Sequence, residues 1–421
     1  MIKLEKYSVL ILYFATIGAL GLSFFGSVLN SRLLSKELFG DWKYLQNFLM
    51  MISYFVNFGF FASGGRLIAS TNDKKRIGIF KGYLMYLCLA GLLVIFLVTV
   101  FTGLVWQKML NQTLFHLALI MFPLFIIHPL TFYFESTFQA ERRLIDLSVF
   151  KVLPPLLYVG LLYLFKSYSS GSIYYNAVLF YSSYFVIFIF LLLKDKPIFK
   201  KKSPEWEELI EQNKTYGIHI FYGGLWGVGT GYLLPILIGY FNINNVEVGN
   251  FSLALSFIMP LSFLPGIVGT SYFKEFINLD KIPKAAIKKV LIASIFLLVG
   301  LLISIEFLID FFLGLKYKEV AFLIKVGAWG AILHGFGDFT NKFLSAKGES
   351  PYIKKVAMAV GIVQLITSVF FIKYFTLMKW SGSLGAIIAK SIGSVVYFSS
   401  LFYYYHKNYI APKKQTDGID S

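Results

Sequence analysis

The sequence predicts an all-α polytopic membrane protein with about twelve transmembrane helices. About twelve stretches are each long and apolar enough to cross a bilayer core, which takes roughly 20 apolar residues, and little sequence lies between them. Hydrophobic residues make up 57% of the 421 residues and charged residues only 14%. Mean hydropathy is +0.69, and a soluble fold of this length could not hide so much apolar surface. Backbone polar groups in lipid must be satisfied internally, so the spans are helices and the function is performed in or across a membrane.

In order, the spans read 7–30, 43–63, 79–103, 114–136, 147–166, 173–193, 216–240, 250–272, 285–313, 319–341, 355–375 and 382–405. The first follows Lys3, Glu5 and Lys6, as a signal peptide would. It is too long for a signal core and no small-residue cleavage site closes it, so it reads as a retained helix. Alternate loops are basic. Arg66, Lys74, Lys75, Arg76 and Lys81 follow span two, Arg142, Arg143 and Lys151 follow span four, and Lys194 to Lys214 holds six lysines after span six. Further lysines follow spans eight, ten and twelve, while the other loops hold few. The positive-inside rule puts both termini in the cytoplasm, and an even span count agrees.

The net charge of +17 is therefore mostly a topology signal. It is spread over short loops rather than gathered in one domain, which argues against a nucleic-acid partner. A single cysteine, Cys88, excludes an intrachain disulfide and a cysteine-based metal cluster, and no metal or cofactor site is predicted. Residues 411–421 read as a disordered cytoplasmic tail.

The longest hydrophilic connection, Lys194 to Lys214, bisects the chain into an N-terminal six-helix lobe (1–200) and a C-terminal six-helix lobe (201–410). A faint repeat supports the division. Ser35-Lys36-Glu37-Leu38-Phe39-Gly40-Asp41-Trp42 follows span one, and Asn244-Asn245-Val246-Glu247-Val248-Gly249-Asn250-Phe251 follows span seven. In each, an acidic residue precedes Gly, a small polar residue and an aromatic, and the glycine would permit a tight turn. Repeated halves are the usual build of a transporter.

Local marks along the chain carry a resemblance. They are Arg32-Leu33-Leu34-Ser35-Lys36-Glu37-Leu38-Phe39-Gly40, Asn57-Phe58-Gly59 with Arg66, Phe138-Gln139-Ala140, Glu247-Val248-Gly249 and Gly382-Ser383-Leu384-Gly385-Ala386. In this order and spacing the chain resembles the polysaccharide flippases of the multidrug/oligosaccharidyl-lipid/polysaccharide exporter superfamily, which include O-antigen and capsule-unit translocases. The resemblance implies two pseudo-symmetric six-helix bundles facing each other in a V around a central cavity. It implies a polyprenyl-pyrophosphate-linked oligosaccharide as substrate, moved across the bacterial inner membrane by alternating access. Membrane lipids, a polysaccharide polymerase and other biosynthesis proteins are the implied partners. It also makes Arg32 and Arg66 candidates for the pyrophosphate, because the guanidinium fork binds phosphate oxygens bidentately.

Polar residues at bilayer depth are costly and are functional candidates by default. Lys390 stands about eight residues into span twelve, roughly 12 Å deep at 1.5 Å per residue. Gly382, Gly385, Ala386, Ala389 and Gly393 surround it with a small-residue packing face. It points into the protein, toward a cavity or toward backbone carbonyls. In span four, His128, Glu135 and Arg142 fall at steps of seven, with Thr131 and Gln139 between, on one helical face. His128 and Glu135 are candidates for a cavity wall, and Arg142 and Arg143 for water-facing positions. In span ten, His334, Asp338 and Lys342 fall at steps of four, a spacing at which Asp338 and Lys342 can pair. Lys325, Glu306 and Asp310 read as interfacial.

Gly223, Gly227 and Gly231 repeat at steps of four in span seven, with Pro235 beyond and Pro260 in span eight. No strand precedes the glycines and no Lys-Ser/Thr follows, so they are not a phosphate-binding loop. Close helix packing and a bendable gate helix are the two readings.

Two other functions compete. An ion-coupled drug or organic-cation exporter of the same superfamily would be expected to hold a carboxylate in span one or seven, and neither contains Asp or Glu. A membrane enzyme acting on lipid-linked sugars, a polymerase or ligase, would be expected to carry a large charged outer loop. The outer loops are short and no Asp-x-Asp motif occurs. The chain is expected to be a transporter, not an enzyme.

Overall fold

A computed structural model describes residues 2–411, with side chains from Ile11 onward. Apart from Ala411, the tail expected at 411–421 lies outside the described residues. Every regular element among the described residues is helical. Among the described residues eleven helices are long and apolar enough to cross a membrane, twelve if a bent pair is counted as one span, in line with the all-helical membrane fold and the about twelve spans expected from hydropathy.

The first compact unit covers residues 1–249. Its helices are α1 (Ile2–Leu33), α2 (Lys36–Asn57), α3 (Phe60–Ala69), α4 (Lys74–Val105), α5 (Gln112–Ala140), α6 (Leu144–Leu164), α7 (Ile173–Asp195) and α8 (Pro204–Phe241). Side-chain oxygens start several of them by accepting from otherwise orphaned backbone N–H groups. Ser35 Oγ caps α2 at Leu38 N (3.2 Å), Asp73 Oδ1 caps α4 at Lys75 N (2.8 Å), and Asn111 Oδ1 caps α5 at Leu114 N (2.9 Å).

Span two is not one helix. Between α2 and α3 the chain bends by 59°, with Phe58 at φ 45° and Gly59 at φ 84°. Gly59 is required twice there. It adopts a left-handed conformation, and a Cβ on it would overlap the backbone of Gly217 on α8. Asn213 Nδ2 donates to the Phe58 carbonyl (3.3 Å), and Ser63 Oγ donates to Asn213 Oδ1 (3.1 Å). The start of α8 is thereby stapled to the break.

The polar connection after α7 is also tied down. Ile198 N–H donates to the Gly78 carbonyl at 2.8 Å, and a Cβ on Gly82 would overlap the Ile198 carbonyl. Trp206 packs on Phe60 and Tyr83. This connection and α8 thus pack on α2–α4 within the first compact unit.

The second unit covers residues 250–421. It takes in most of α9 (Val246–Ser271), then α10 (Phe273–Asn278), α11 (Lys284–Phe312), α12 (Lys318–Ala346), α13 (Ser350–Leu377) and α14 (Gly382–Tyr405). Small residues let its backbones approach. A Cβ on Gly385 would meet the Phe371 carbonyl at 2.6 Å, and one on Gly330 would meet Ser391 Cα at 2.7 Å. Gly382, Gly385, Ala386, Ala389 and Gly393 on α14 are all buried. An apolar cluster that includes Phe276, Val290, Phe339, Phe343 and Leu401 closes one end of this unit.

Candidate functional site

The strongest site lies inside the second unit. A cavity of about 190 Å³ lies between α9, α12 and α14, lined by His334, Asp338, Lys390, Ser391 and Ser394 among apolar residues. The volume lies below the few hundred cubic ångströms that bury a drug-sized ligand. Tyr397 OH donates to Asp338 Oδ1 at 2.9 Å and itself accepts from Asn341 Nδ2 at 2.8 Å. The Tyr397 ring stacks on His334 at 5.1 Å. His334 Nε2 stands 3.9 Å from Asp338 Oδ2, beyond hydrogen-bond reach. Among the described residues the Lys390 ammonium has no ion-pair or hydrogen-bond partner. The pair expected between Asp338 and Lys342 does not form among the described residues, because Asp338 turns to Tyr397 on α14 instead.

A second polar pocket, of about 450 Å³, lies within the first unit and is lined by Asn57, Gly65, Glu135, Ser136, Gln139 and Tyr216 among others. Glu135 pairs with Lys151 at 3.6 Å. Arg66, exposed at the last turn of α3, lays its guanidinium over Tyr216, 4.5 Å from the ring centroid. Arg66 therefore stands at the edge of the pocket that Glu135 lines. Arg32 lies exposed in the last turn of α1 and lines neither pocket. His128 is 5% exposed, with Nδ1 3.1 Å from Met50 Sδ and its ring edge-on to Phe125 and Tyr181. It packs inside the unit and does not line the Glu135 pocket.

The glycines of α8 divide by face. Gly217, Gly224 and Gly239 lie in close contact with α2, α3 and their neighbours. At Gly223, Gly227 and Gly231 a Cβ would meet no heavy atom within 4 Å, so close packing does not explain them. Wider π-helical turns at Asn213–Gly217 and Leu225–Gly229 interrupt the same helix, a local loosening that often marks functional helices. Pro235 is buried on α8 beyond them, and Pro260 is exposed on α9.

Hydropathy reasoning missed one charged centre. Lys81 and Arg143 read as loop charges, yet Lys81 is 3% exposed. Its ammonium pairs with Asp195 (2.8 Å) and Glu141 (2.6 Å). Arg143 pairs with Asp195 and, at 2.7 Å, with Asp146, and it stacks on Phe138. Tyr133 OH donates to the other Asp195 oxygen at 2.6 Å. Burial disfavours the Arg143 charge, but the hydrogen bond to Asp146 and the charges of Asp195, Asp146 and Glu141 more than offset it. Its pKa therefore lies above the ordinary arginine value and it stays charged. The network satisfies its own charges and fixes α4, α5, α6 and α7 at one end of the unit.

The fold is shared with solved transporters. The chain is similar to the lipid II flippase MurJ in an inward closed conformation, with TM-score 0.75, 14% identity, and 94% of this chain and 87% of that one covered. It is similar to an inward-facing multidrug resistance MATE family transporter of the MOP superfamily (TM-score 0.66, 14% identity, 95% and 97% covered). A MOP superfamily transporter from Pyrococcus furiosus also matches (TM-score 0.59, 14% identity, 96% and 95% covered). At these identities the likeness is one of fold. Among curated proteins no sequence relative is found. Residues 6–273 match the family of polysaccharide biosynthesis proteins, and since that is more than half of its length, the chain belongs to this family.

Proposed function

We propose that this protein is a flippase that moves polyprenyl-pyrophosphate-linked oligosaccharide units across the bacterial inner membrane by alternating access, with both termini cytoplasmic. The observation that carries the reading is Lys390, which has no ion-pair or hydrogen-bond partner among the described residues and lines a mostly apolar cavity together with His334 and Asp338. A cation at such depth without a direct partner is costly unless a ligand meets it. A diphosphate is the compact, strongly anionic part of the substrate, and it suits both the charge and the small volume. Arg66 and Arg32 serve the same group as it enters or leaves. The sugars need a larger hydrophilic space than this cavity, and within the first unit Glu135 and its pocket, with His128 packed deeper, are the candidates for polar wall. The polyprenyl tail stays in lipid, since only the polar head is costly to bury there.

Gly223, Gly227, Gly231, Pro235 and Pro260 are the proposed gate positions, and the six-helix lobes 1–200 and 201–410 are the proposed repeats. A polymerase and other polysaccharide biosynthesis proteins would consume the product.

The second reading, a cation-coupled exporter, is favoured by one observation: Asp338 shares the cavity with Lys390, a carboxylate in a transporter fold. Proteoliposomes separate the two readings. The flippase reading expects purified protein to move lipid-linked oligosaccharide between leaflets and to leave glycan length unchanged. Transport of organic cations against a proton or sodium gradient, with no lipid-linked sugar moved, would favour the exporter. Elongation or cleavage of the glycan would favour an enzyme.

A further inference from the structure

The second unit carries another cavity, on the opposite side of α12 from Lys390. It is an apolar groove of about 290 Å³, lined by Ile287 and Leu291 of α11, Leu333 and Phe336 of α12, and Phe398 and Phe402 of α14, among others. Ile287, Leu291 and Phe402 are 36%, 42% and 44% exposed. The two polar-tipped residues in its lining are already engaged. Thr340 Oγ1 donates to the Phe336 carbonyl at 3.0 Å, and Tyr405 OH accepts from Ile282 N–H at 3.0 Å. Nothing inside the groove asks for a polar ligand, and its lining suits a hydrocarbon chain.

The mouth of the groove has the opposite character. The Ile282–Tyr405 bond holds the start of α11 against the groove, and Lys281, Lys284, Lys288 and Lys289 stand exposed around it. Lys289 donates to Tyr272 OH at 3.0 Å. Lys284 and Lys288 have neither an ion-pair nor a hydrogen-bond partner among the described residues. Positions 284, 287, 288 and 291 follow the three- and four-residue steps of one helical face. The two lysines therefore stand in line with the apolar side chains that wall the groove. Glu275 and Asp280 are the acidic residues nearby in sequence, and the lysines outnumber them.

We propose that this groove is a binding site for an anionic phospholipid of the bilayer, with one acyl chain along Ile287 and Leu291 and the phosphate held by Lys284 and Lys288. Juxtamembrane lysines attract anionic lipids, which are concentrated in the cytoplasmic leaflet. This is the leaflet to which the positive-inside rule assigns the loop before α11. The occupant is a bilayer lipid rather than the transported one because of helical geometry. Gly327, Gly330, Ala331, His334 and Asp338 face the Lys390 cavity, while Leu333, Phe336 and Thr340 face the groove. At about 100° per residue the two sets lie on nearly opposite faces of α12. A lipid in the groove cannot present its head to the cavity, so it supports the back of the helix that carries His334 and Asp338.

The test uses the full-length protein in nanodiscs of phosphatidylcholine, doped with phosphatidylglycerol or phosphatidylcholine carrying a photoreactive group on one acyl chain. Adducts are mapped by mass spectrometry. The phosphatidylglycerol probe should label α11 and α14 around Ile287, Leu291 and Phe402, roughly tenfold more than the phosphatidylcholine probe. The double variant Lys284→Gln/Lys288→Gln should remove that preference. Leu333→Trp, which fills the groove and leaves the lysines intact, should remove the adducts themselves. Equal labelling by both probes, or phosphatidylglycerol labelling unchanged in the two variants, would overturn the proposal. So would displacement of the phosphatidylglycerol probe by a polyprenyl pyrophosphate, which would make the groove part of the transport path. None of these readouts requires transport, so failure of the flippase reading leaves them interpretable.

Discussion

Asn245 donates from Nδ2 to Asp41 Oδ1 at 2.7 Å, and Asp41 also accepts from Asn111 at 3.3 Å. The bond joins the two copies of the repeat seen in the sequence. A Cβ on Gly40 would overlap the Asn245 carbonyl, and one on Gly249 would stand 3.3 Å from Gly40 Cα. Neither glycine has a positive φ; both lie in the first turns of helices. Glycine is needed there for backbone approach and not for a turn.

If this contact opens during transport, fixing it should stop the cycle. In a Cys88→Ser background, the pair Asp41→Cys/Asn245→Cys should form a disulfide on oxidation and block lipid-linked oligosaccharide movement in vesicles. Reductant should restore it. Undiminished transport by the fully cross-linked protein would show that the contact is static.

Lys390→Ala should abolish surface polysaccharide without lowering protein abundance in the membrane, and Lys390→Arg should retain part of it. Arg66→Ala should give a partial loss, since Arg66 stands at a pocket edge. Immunoblots of membranes and of surface glycan from the same cells make the comparison. Normal export by both alanine variants would remove them from the substrate path.

Asp195→Asn should act on stability rather than on transport chemistry. It would leave Lys81 and Arg143 short of a buried counter-charge, a loss on the order of 3 kcal/mol. A lower unfolding midpoint in detergent is the expected result. An unchanged midpoint would mean that Glu141 and Asp146 alone satisfy both cations.

The two faces of α8 should respond oppositely to alanine. Gly227→Ala places its methyl in open space and should hold or raise thermal stability, by up to about 1 kcal/mol on helix propensity. It should slow transport if the helix bends there. Gly217→Ala drives a methyl into Ser63, Asn213 and Gly59 and should destabilise by roughly 1–3 kcal/mol. Unaltered transport by Gly227→Ala would remove that glycine from the gate.

A cysteine at Lys200 should react with a membrane-impermeant maleimide in lysed cells and not in intact ones. Labelling in intact cells would reverse the proposed orientation.

Hydropathy made the spans legible because the bilayer imposes length and composition on each one separately. It could not show the break in span two. That depends on a left-handed Phe58–Gly59 pair whose reason is the backbone of Gly217, far along the chain. Nor could it show the Lys81–Asp195 pair, 114 residues apart, since lysines near span ends read as topology signals. Periodicity grouped His334 with Asp338, and both line one cavity. It proposed Lys342 as the ion partner because local spacing cannot see Tyr397 on the neighbouring helix. On α5 the seven-residue stripe put His128 and Glu135 on one face, and both do lie in the regular helix Ile127–Ala140, but seven residues separate them by about 10 Å along the axis, so they meet different neighbours. The ring meets Met50 and Tyr181, while Glu135, two turns on, reaches the pocket.

The glycine pattern of α8 has a mechanical consequence. Near one end, Gly217 is pressed on Gly59 and Ser63; near the other, Gly239 is pressed on Tyr44 and Asn245. Between them, Gly224 still meets the Tyr54 hydroxyl, but a Cβ at Gly223, Gly227 or Gly231 would meet no heavy atom within 4 Å, and a π turn loosens the ladder. A rod held at both ends, and along one side of its middle by Tyr54, cannot swing like a door. It can bow only toward its open side, so its largest sideways displacement falls midway along its length. A passage framed by such a rod would widen at its waist while its two rims stayed in place.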